Sequence, residues 1–168
     1  MNRITILGTG HATVTRCYNT CFALQTDTTT LLVDAGGGNG ILQRLEQAGI
    51  AIKDLHHMYV THAHTDHILG TIWVIRMVLS AAGYEGRFHV YSHAKVLRVI
   101  SMICGETLSA KHRRLMGERV VMHEVGDGTC FQAGDIEMQS FDIHSKKEPQ
   151  YGFRATLPGG AVVVWLGD

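Results

Sequence analysis

The sequence predicts a mixed α/β sandwich, with helices packed outside sheets. Three observations carry that prediction. Short β-type runs alternate with helical ones up to about residue 117, the remainder is nearly all β, and 19 glycines punctuate the elements. At 168 residues one domain spanning 1–168 is expected, able to bury roughly 70% of its unfolded surface.

The elements follow in order. Residues 4–7, 21–24 and 31–33 are short apolar runs separated by threonine- and glycine-rich turns. The run Gly36-Gly37-Gly38-Asn39-Gly40 leads into Ile41, Leu42, Leu45 and Ala48 at helical spacing, stopped by Gly49. Residues 55–60 read as a strand, and a polar, histidine-dense segment follows. Next comes a helix whose apolar residues are Ile68, Leu69, Ile72, Ile75, Met77, Val78 and Leu79, with Gly83 near its stop. Residues 88–91 read as a strand, and 94–104 and 109–117 as helical runs. Five β runs close the chain, at 120–125, 129–132, 136–141, 151–157 and 161–166. Pro158-Gly159-Gly160 makes the last two a hairpin.

Composition excludes several classes. With 45% hydrophobic and 18% charged residues the chain is not disordered. Fifteen basic residues balance fifteen acidic ones, so no whole-molecule field marks a nucleic-acid binder. The most basic stretch, Lys111-His112-Arg113-Arg114 with Arg119, reads as a solvated helix face. No run reaches the ~18 apolar residues of a membrane helix, and the N-terminus lacks a signal peptide's apolar stretch, so a cytoplasmic chain is expected. In that setting Cys17, Cys21, Cys104 and Cys130 are expected as reduced thiols, with Cys17 and Cys21 as packing residues.

The chemistry concentrates in Thr61-His62-Ala63-His64-Thr65-Asp66-His67. Residues two apart in extended chain point the same way, so His62 and His64 can grip one ion together. As the chain turns into the following helix, Asp66 and His67 swing to a neighbouring position and can grip a second. Imidazoles with a carboxylate suit zinc, and also manganese or iron.

This segment resembles the signature of the metallo-β-lactamase superfamily. The resemblance implies a four-layer αββα sandwich with a two-metal site at one edge of its sheets. Val33-Asp34-Ala35-Gly36 looks like the family's early Asp-x-Gly element, whose aspartate supports the metal loops without binding metal. By the same analogy His144, in Phe141-Asp142-Ile143-His144-Ser145, joins His62 and His64 on the first ion. Asp168 bridges to the second ion, held by Asp66 and His67. The family's last ligand histidine lies downstream of that aspartate, where this sequence stops. His56, His57, His89, His93, His112 and His123 are not in its place. The closing C-terminal elements are therefore expected to be lacking and the second ion to be weakly held.

The opening Leu7-Gly8-Thr9-Gly10-His11-Ala12 is similar to the start of the ribonuclease Z-like branch, with His11 a candidate substrate contact. That branch implies a phosphodiesterase working through a metal-bound hydroxide, with Asp66 orienting or deprotonating the nucleophile. Only 24 positions separate His144 from Asp168, leaving no room for a long substrate-holding arm, so a small phosphodiester or short nucleic acid is the expected substrate. Two alternatives stand beside it: hydrolysis of a thioester, lactone or β-lactam, and a metal-binding remnant without turnover. Uncovered apolar residues near the end, Val162, Val164 and Leu166, lead to the expectation of a homodimer.

Overall fold

The computed structural model describes residues 1–167. Its first sheet has the strand order β1 (Arg3–Gly8), β2 (Cys21–Gln25), β3 (Thr30–Val33), β4 (His57–Tyr59), β5 (Phe88–Ser92) and β6 (Val120–Glu124). The first three strands pair antiparallel, β1 to β2 across the loop of residues 9–20 and β2 to β3 across the short turn of residues 26–29. From β3 to β6 the pairing is parallel, which requires crossovers, and helices supply them. Helix α1 (Gly40–Gln47) joins β3 to β4, α2 (Thr65–Ser80) joins β4 to β5, and α3 (Ala94–Thr107) with α4 (Ala110–Arg114) joins β5 to β6. The second sheet is antiparallel, in the order β10 (Val162–Trp165), β9 (Tyr151–Thr156), β8 (Ile136–Asp142) and β7 (Cys130–Ala133).

Strand alternation divides the apolar residues between two cores. Leu32, Met58 and Val90 point to the helices and meet Ile41, Leu45, Ile68, Ile75, Val96 and Ile100. Their neighbours Leu31, Val33, Tyr59 and Tyr91 point to the other sheet and meet Ile136, Met138, Phe153 and Ala155. The layers are thus helices, large sheet, small sheet. Among the described residues no helix covers the outer face of the small sheet. None of the described helices is long and apolar enough to cross a membrane.

Several boundaries differ from the sequence reading. The run at 55–60 yields only the three residues of β4, preceded by a 3-10 turn at Ile52–Asp54. Helix α4 stops at Arg114, because the chain must bend back for Met116 to bridge to Val120. The four cysteines are free thiols; Cys21 and Cys104 are buried, but Cys17 is exposed, contrary to the expectation of a packing residue. Burial pushes the Cys21 thiol up to about 12 and that of Cys104 to about 11.

Parallel strands run in one direction, so their C-terminal ends share an edge of the sheet. Asp34 follows β3 there, Thr61 to His64 follow β4, and His93 follows β5. This is the edge where open α/β sheets place their ligands.

Candidate metal centre

After β4 the backbone stays extended to His64, which caps α2 at ψ 147°. Extension puts the rings of His62 and His64 on one side, with His62 Nε2 3.0 Å from His64 Nδ1. Asp66 and His67 occupy the first turn of α2 and are buried, as His62 is, while His64 is exposed. His67 Nε2 lies 3.5 Å from Asp66 Oδ2, and the His62 and His67 rings are 4.1 Å apart. The four side chains nearest in sequence are therefore brought together.

Asp34 organises them from behind. It is buried, and sits in the left-handed region at φ 54°, which aspartate tolerates better than most residues. One carboxylate oxygen accepts the Thr61 backbone N–H at 2.8 Å. The other accepts the Thr61 hydroxyl at 2.8 Å and His67 Nδ1–H at 2.9 Å. Because the Thr61 hydroxyl spends its proton on Asp34, its oxygen accepts from His62 Nδ1–H at 2.9 Å. Both histidines therefore carry their proton on Nδ1 and keep a lone pair on Nε2, the tautomer that a metal ligand needs.

The spacings fit a shared ion. Two nitrogens bound tetrahedrally at about 2.0–2.1 Å from zinc lie about 3.3 Å apart. The His62–His64 pair at 3.0 Å and the Asp66–His67 pair at 3.5 Å bracket that value. Among the described residues, however, no group of three or more His, Cys, Asp or Glu side chains is arranged to hold an ion as it stands. His144 is not gathered with the others. It projects from the loop after β8 with its side chain 84% exposed, at φ 56°, its backbone N–H donating to Asp142 Oδ1 at 2.7 Å. Asp168 lies outside the described residues. His11 is exposed in the turn after β1, its Nδ1 within 3.3 Å of the Thr13 hydroxyl.

Sequence reasoning missed a group that borders this edge: His93, Lys95, Glu148 and Gln150. Like His64, His93 ends a strand segment and caps a helix, a positional signal visible in the sequence. Burial pushes the His93 imidazole below its ordinary range, opposed by nearby Glu148 and a hydrogen bond to the Pro149 carbonyl. The Lys95 ammonium, 2.7 Å away, holds Glu148 below the usual carboxylate range. A separate histidine cluster joins His57 and His89, in register near the starts of β4 and β5, to His123, which reaches back from the register of Tyr91 on β6. His89 Nδ1 is 2.8 Å from His123 Nε2, and the His57 and His89 rings stack at 5.4 Å.

Comparison with known proteins places this geometry. The family described as "Anti-Pycsar protein Apyc1" matches residues 2–161. An exodeoxyribonuclease, YycJ, of Bacillus anthracis is 31% identical over 128 residues, covering 75% of this chain and 42% of the relative. Ribonuclease Z of Mycolicibacterium gilvum is 27% identical over 181 residues, covering 100% of this chain and 62% of the relative. The chain thus spans between two fifths and two thirds of these relatives' length. Among solved structures, the short form of human tRNase Z superposes with a TM-score of 0.79 at 18% identity, covering 100% of this chain and 69% of that one. Zinc-bound PqqB from Methylobacterium extorquens gives 0.68 at 13% identity, covering 98% and 64%. The fold is that of the metallo-β-lactamases, in its ribonuclease Z-like form.

Proposed function

The chain belongs to the Anti-Pycsar protein Apyc1 family, and from that premise we propose that it is a metal-dependent hydrolase of phosphodiesters. The observation that carries the reading is the chain of hydrogen bonds from Asp34 through Thr61 to His62, and from Asp34 to His67, which leaves Nε2 lone pairs beside His64 and Asp66. A buried network of this kind spends a carboxylate on fixing tautomers, which a merely structural histidine does not require. Two relatives, an exodeoxyribonuclease and a ribonuclease Z, are named for nucleic-acid hydrolysis, which supports the same substrate class.

In this reading His62, His64 and His144 would hold a first ion and Asp66 and His67 a second, with Asp168 shared between them. Zinc suits the imidazole-rich set best, with manganese or iron as alternatives. Bound there, such ions would supply Lewis-acid stabilisation of a phosphoryl oxygen and would acidify a water toward neutrality. Asp66, buried in the first turn of α2, would orient the water nucleophile and accept its proton. Asp34 and Thr61 keep the rings fixed while charge develops, so little reorganisation is needed during the reaction. The substrate is a small phosphodiester or a short nucleic acid, and the protein works as a cytoplasmic homodimer.

The test is a zinc titration followed by a substrate panel of bis-p-nitrophenyl phosphate, a cyclic nucleotide, a short single-stranded oligonucleotide and a lactone. Turnover of the phosphodiesters alone, lost in His62→Ala and His67→Ala but kept in His112→Ala, is the expected result. Turnover of the lactone alone would move the chain to the carboxyl-ester hydrolases. Zinc binding with no turnover would make it a binding remnant.

A further inference from the structure

We propose that the first turn of α3 clamps the loop carrying His144, with His93 and Lys95 as positioning residues for the first metal position; this rests on the metallohydrolase reading above. The loop runs over residues 143–150, between the end of β8 and the start of β9, and Ile143 N–H donating to Gln150 O at 3.2 Å closes its base. Its two limbs are held very differently. The near limb carries His144, Lys146 and Lys147, all exposed, and is shaped by a local turn in which Asp142 accepts the His144 N–H.

The far limb is gripped from two sides. Lys95 pairs with Glu148 at 2.7 Å, and the Glu148 side chain is only 11% exposed. The His93 ring stacks on Tyr151 at 5.1 Å, inclined by 26°. Tyr151 N–H then bonds Thr61 O at 3.0 Å, so the far limb is tied directly to the segment that bears His62. His93 and Lys95 stand two apart at the start of a 14-residue helix, so both contacts are delivered by one rigid element.

The consequence concerns reach. His144 stands four residues before Glu148, and its left-handed backbone gives a short, tight path. With the far limb fixed, the His144 ring has a limited set of places to go, and Glu148, four residues on, stands near enough to His64 for the two to interact electrostatically. Released from α3, the loop would hold His144 in many positions and the entropy of gathering it onto the ion would rise. Groups that orient ligands from behind in this way typically change metal affinity by about 10–100-fold when removed.

The experiment is a double-mutant cycle read by zinc affinity, using competition with a chromophoric chelator on the full chain. Lys95→Met should weaken the tightest zinc by about tenfold, whereas Lys95→Arg should keep it, since a guanidinium can still pair with Glu148. In a His144→Ala background, Lys95→Met should cost nothing further, because the ligand it positions is gone. Should Lys95→Met fail to fold, Glu148→Gln enters the same cycle. Hydrogen exchange across 143–149 should rise in Lys95→Met and in His93→Ala, which removes the stack on Tyr151. An equal loss with and without His144 would overturn the clamp and leave the metallohydrolase reading standing, as would zinc affinity unchanged by His144→Ala. A wild-type chain that binds no zinc would overturn both.

Discussion

Asp34 accepts three hydrogen bonds at a buried, left-handed position, and the tautomers of His62 and His67 trace back to it. Asparagine there keeps both the shape and the tolerance for positive φ, so Asp34→Asn isolates the chemistry of the acceptor. Its amide nitrogen cannot accept from Thr61 or from His67 Nδ1–H, which leaves a buried donor facing a donor. The expected cost is about 1–3 kcal/mol in urea denaturation of the metal-free chain, with a further 10–100-fold loss of zinc affinity. Unchanged denaturation would mean that the three hydrogen bonds to Asp34 contribute nothing to holding the fold. The second prediction at this scale concerns acid. Burial first, then the neighbouring imidazoles, pushes His57 down to about 4, and burial lowers His89 and His123 as well. In that window the unfolded chain binds a proton that folded His57 refuses, so unfolding gains from falling pH. This contribution to stability is fully present above the ordinary histidine value of about 6.5 and is lost as pH falls toward 4. Asp135 opposes it and Arg87 adds to it at His89, but neither reverses the direction. Melting temperatures of the metal-free chain from pH 7.5 to 4.5 should drop less steeply in His57→Phe than in wild type.

Elements meet most tightly where α2 crosses the turn after β3. Gly70 N–H donates to Gly36 O at 2.8 Å, and a Cβ on Gly70 would stand 1.8 Å from the Ala35 carbonyl oxygen. That carbonyl belongs to backbone fixed on the other side by Asp34, so it cannot give way without moving the centre. Gly70→Ala should therefore cost about 3 kcal/mol and displace the His67 turn, visible as lost stability and lost zinc together. Gly105, in α3, has no heavy atom within 4 Å of an added Cβ, so Gly105→Ala should stabilise by about 0.5–1 kcal/mol and leave zinc binding alone. At this scale the sequence was largely readable. Leu31, Leu32 and Val33 alternate between two cores, the helical spacing of Ile68, Leu69, Ile72 and Ile75 marks α2, and the spacing of His62, His64, Asp66 and His67 is local. What could not be read was set by distant partners. β4 is short because its pairing with β3 covers only His57 to Tyr59, and Glu148 finds Lys95 across 53 positions. The open stance of His144 follows from a turn whose geometry no periodicity announces.

Across the whole molecule the two sheets end on one side at β1 and β10, and these edges are close together. Asn2 Nδ2–H donates to Pro158 O at 2.8 Å, and Phe22 of β2 packs its ring edge-on to Trp165 at 4.9 Å. Inward-facing side chains are covered at this end, but Ile4 and Ile6 on β1 and Val162, Val164 and Leu166 at β10 are exposed, Leu166 by 62%. Each edge also presents unpaired backbone donors and acceptors on its outer side. Apolar side chains beside an open ladder favour strand-to-strand addition, since a second copy satisfies hydrogen bonds and buries apolar area at once. The chain carries no net charge to oppose that approach. We therefore expect apparent mass to rise with concentration in sedimentation or light scattering at neutral pH. Val162→Lys with Val164→Lys should hold the chain monomeric, because a charge on an edge strand must be desolvated before another strand can pair with it. The same pair of substitutions should leave zinc affinity unchanged, as both side chains are exposed on the face of β10 opposite Val163 and Trp165, which pack on the second core. Association that persists in the double variant would place the contact elsewhere, and the exposed Trp73 and Met77 on α2 would be the next residues to charge.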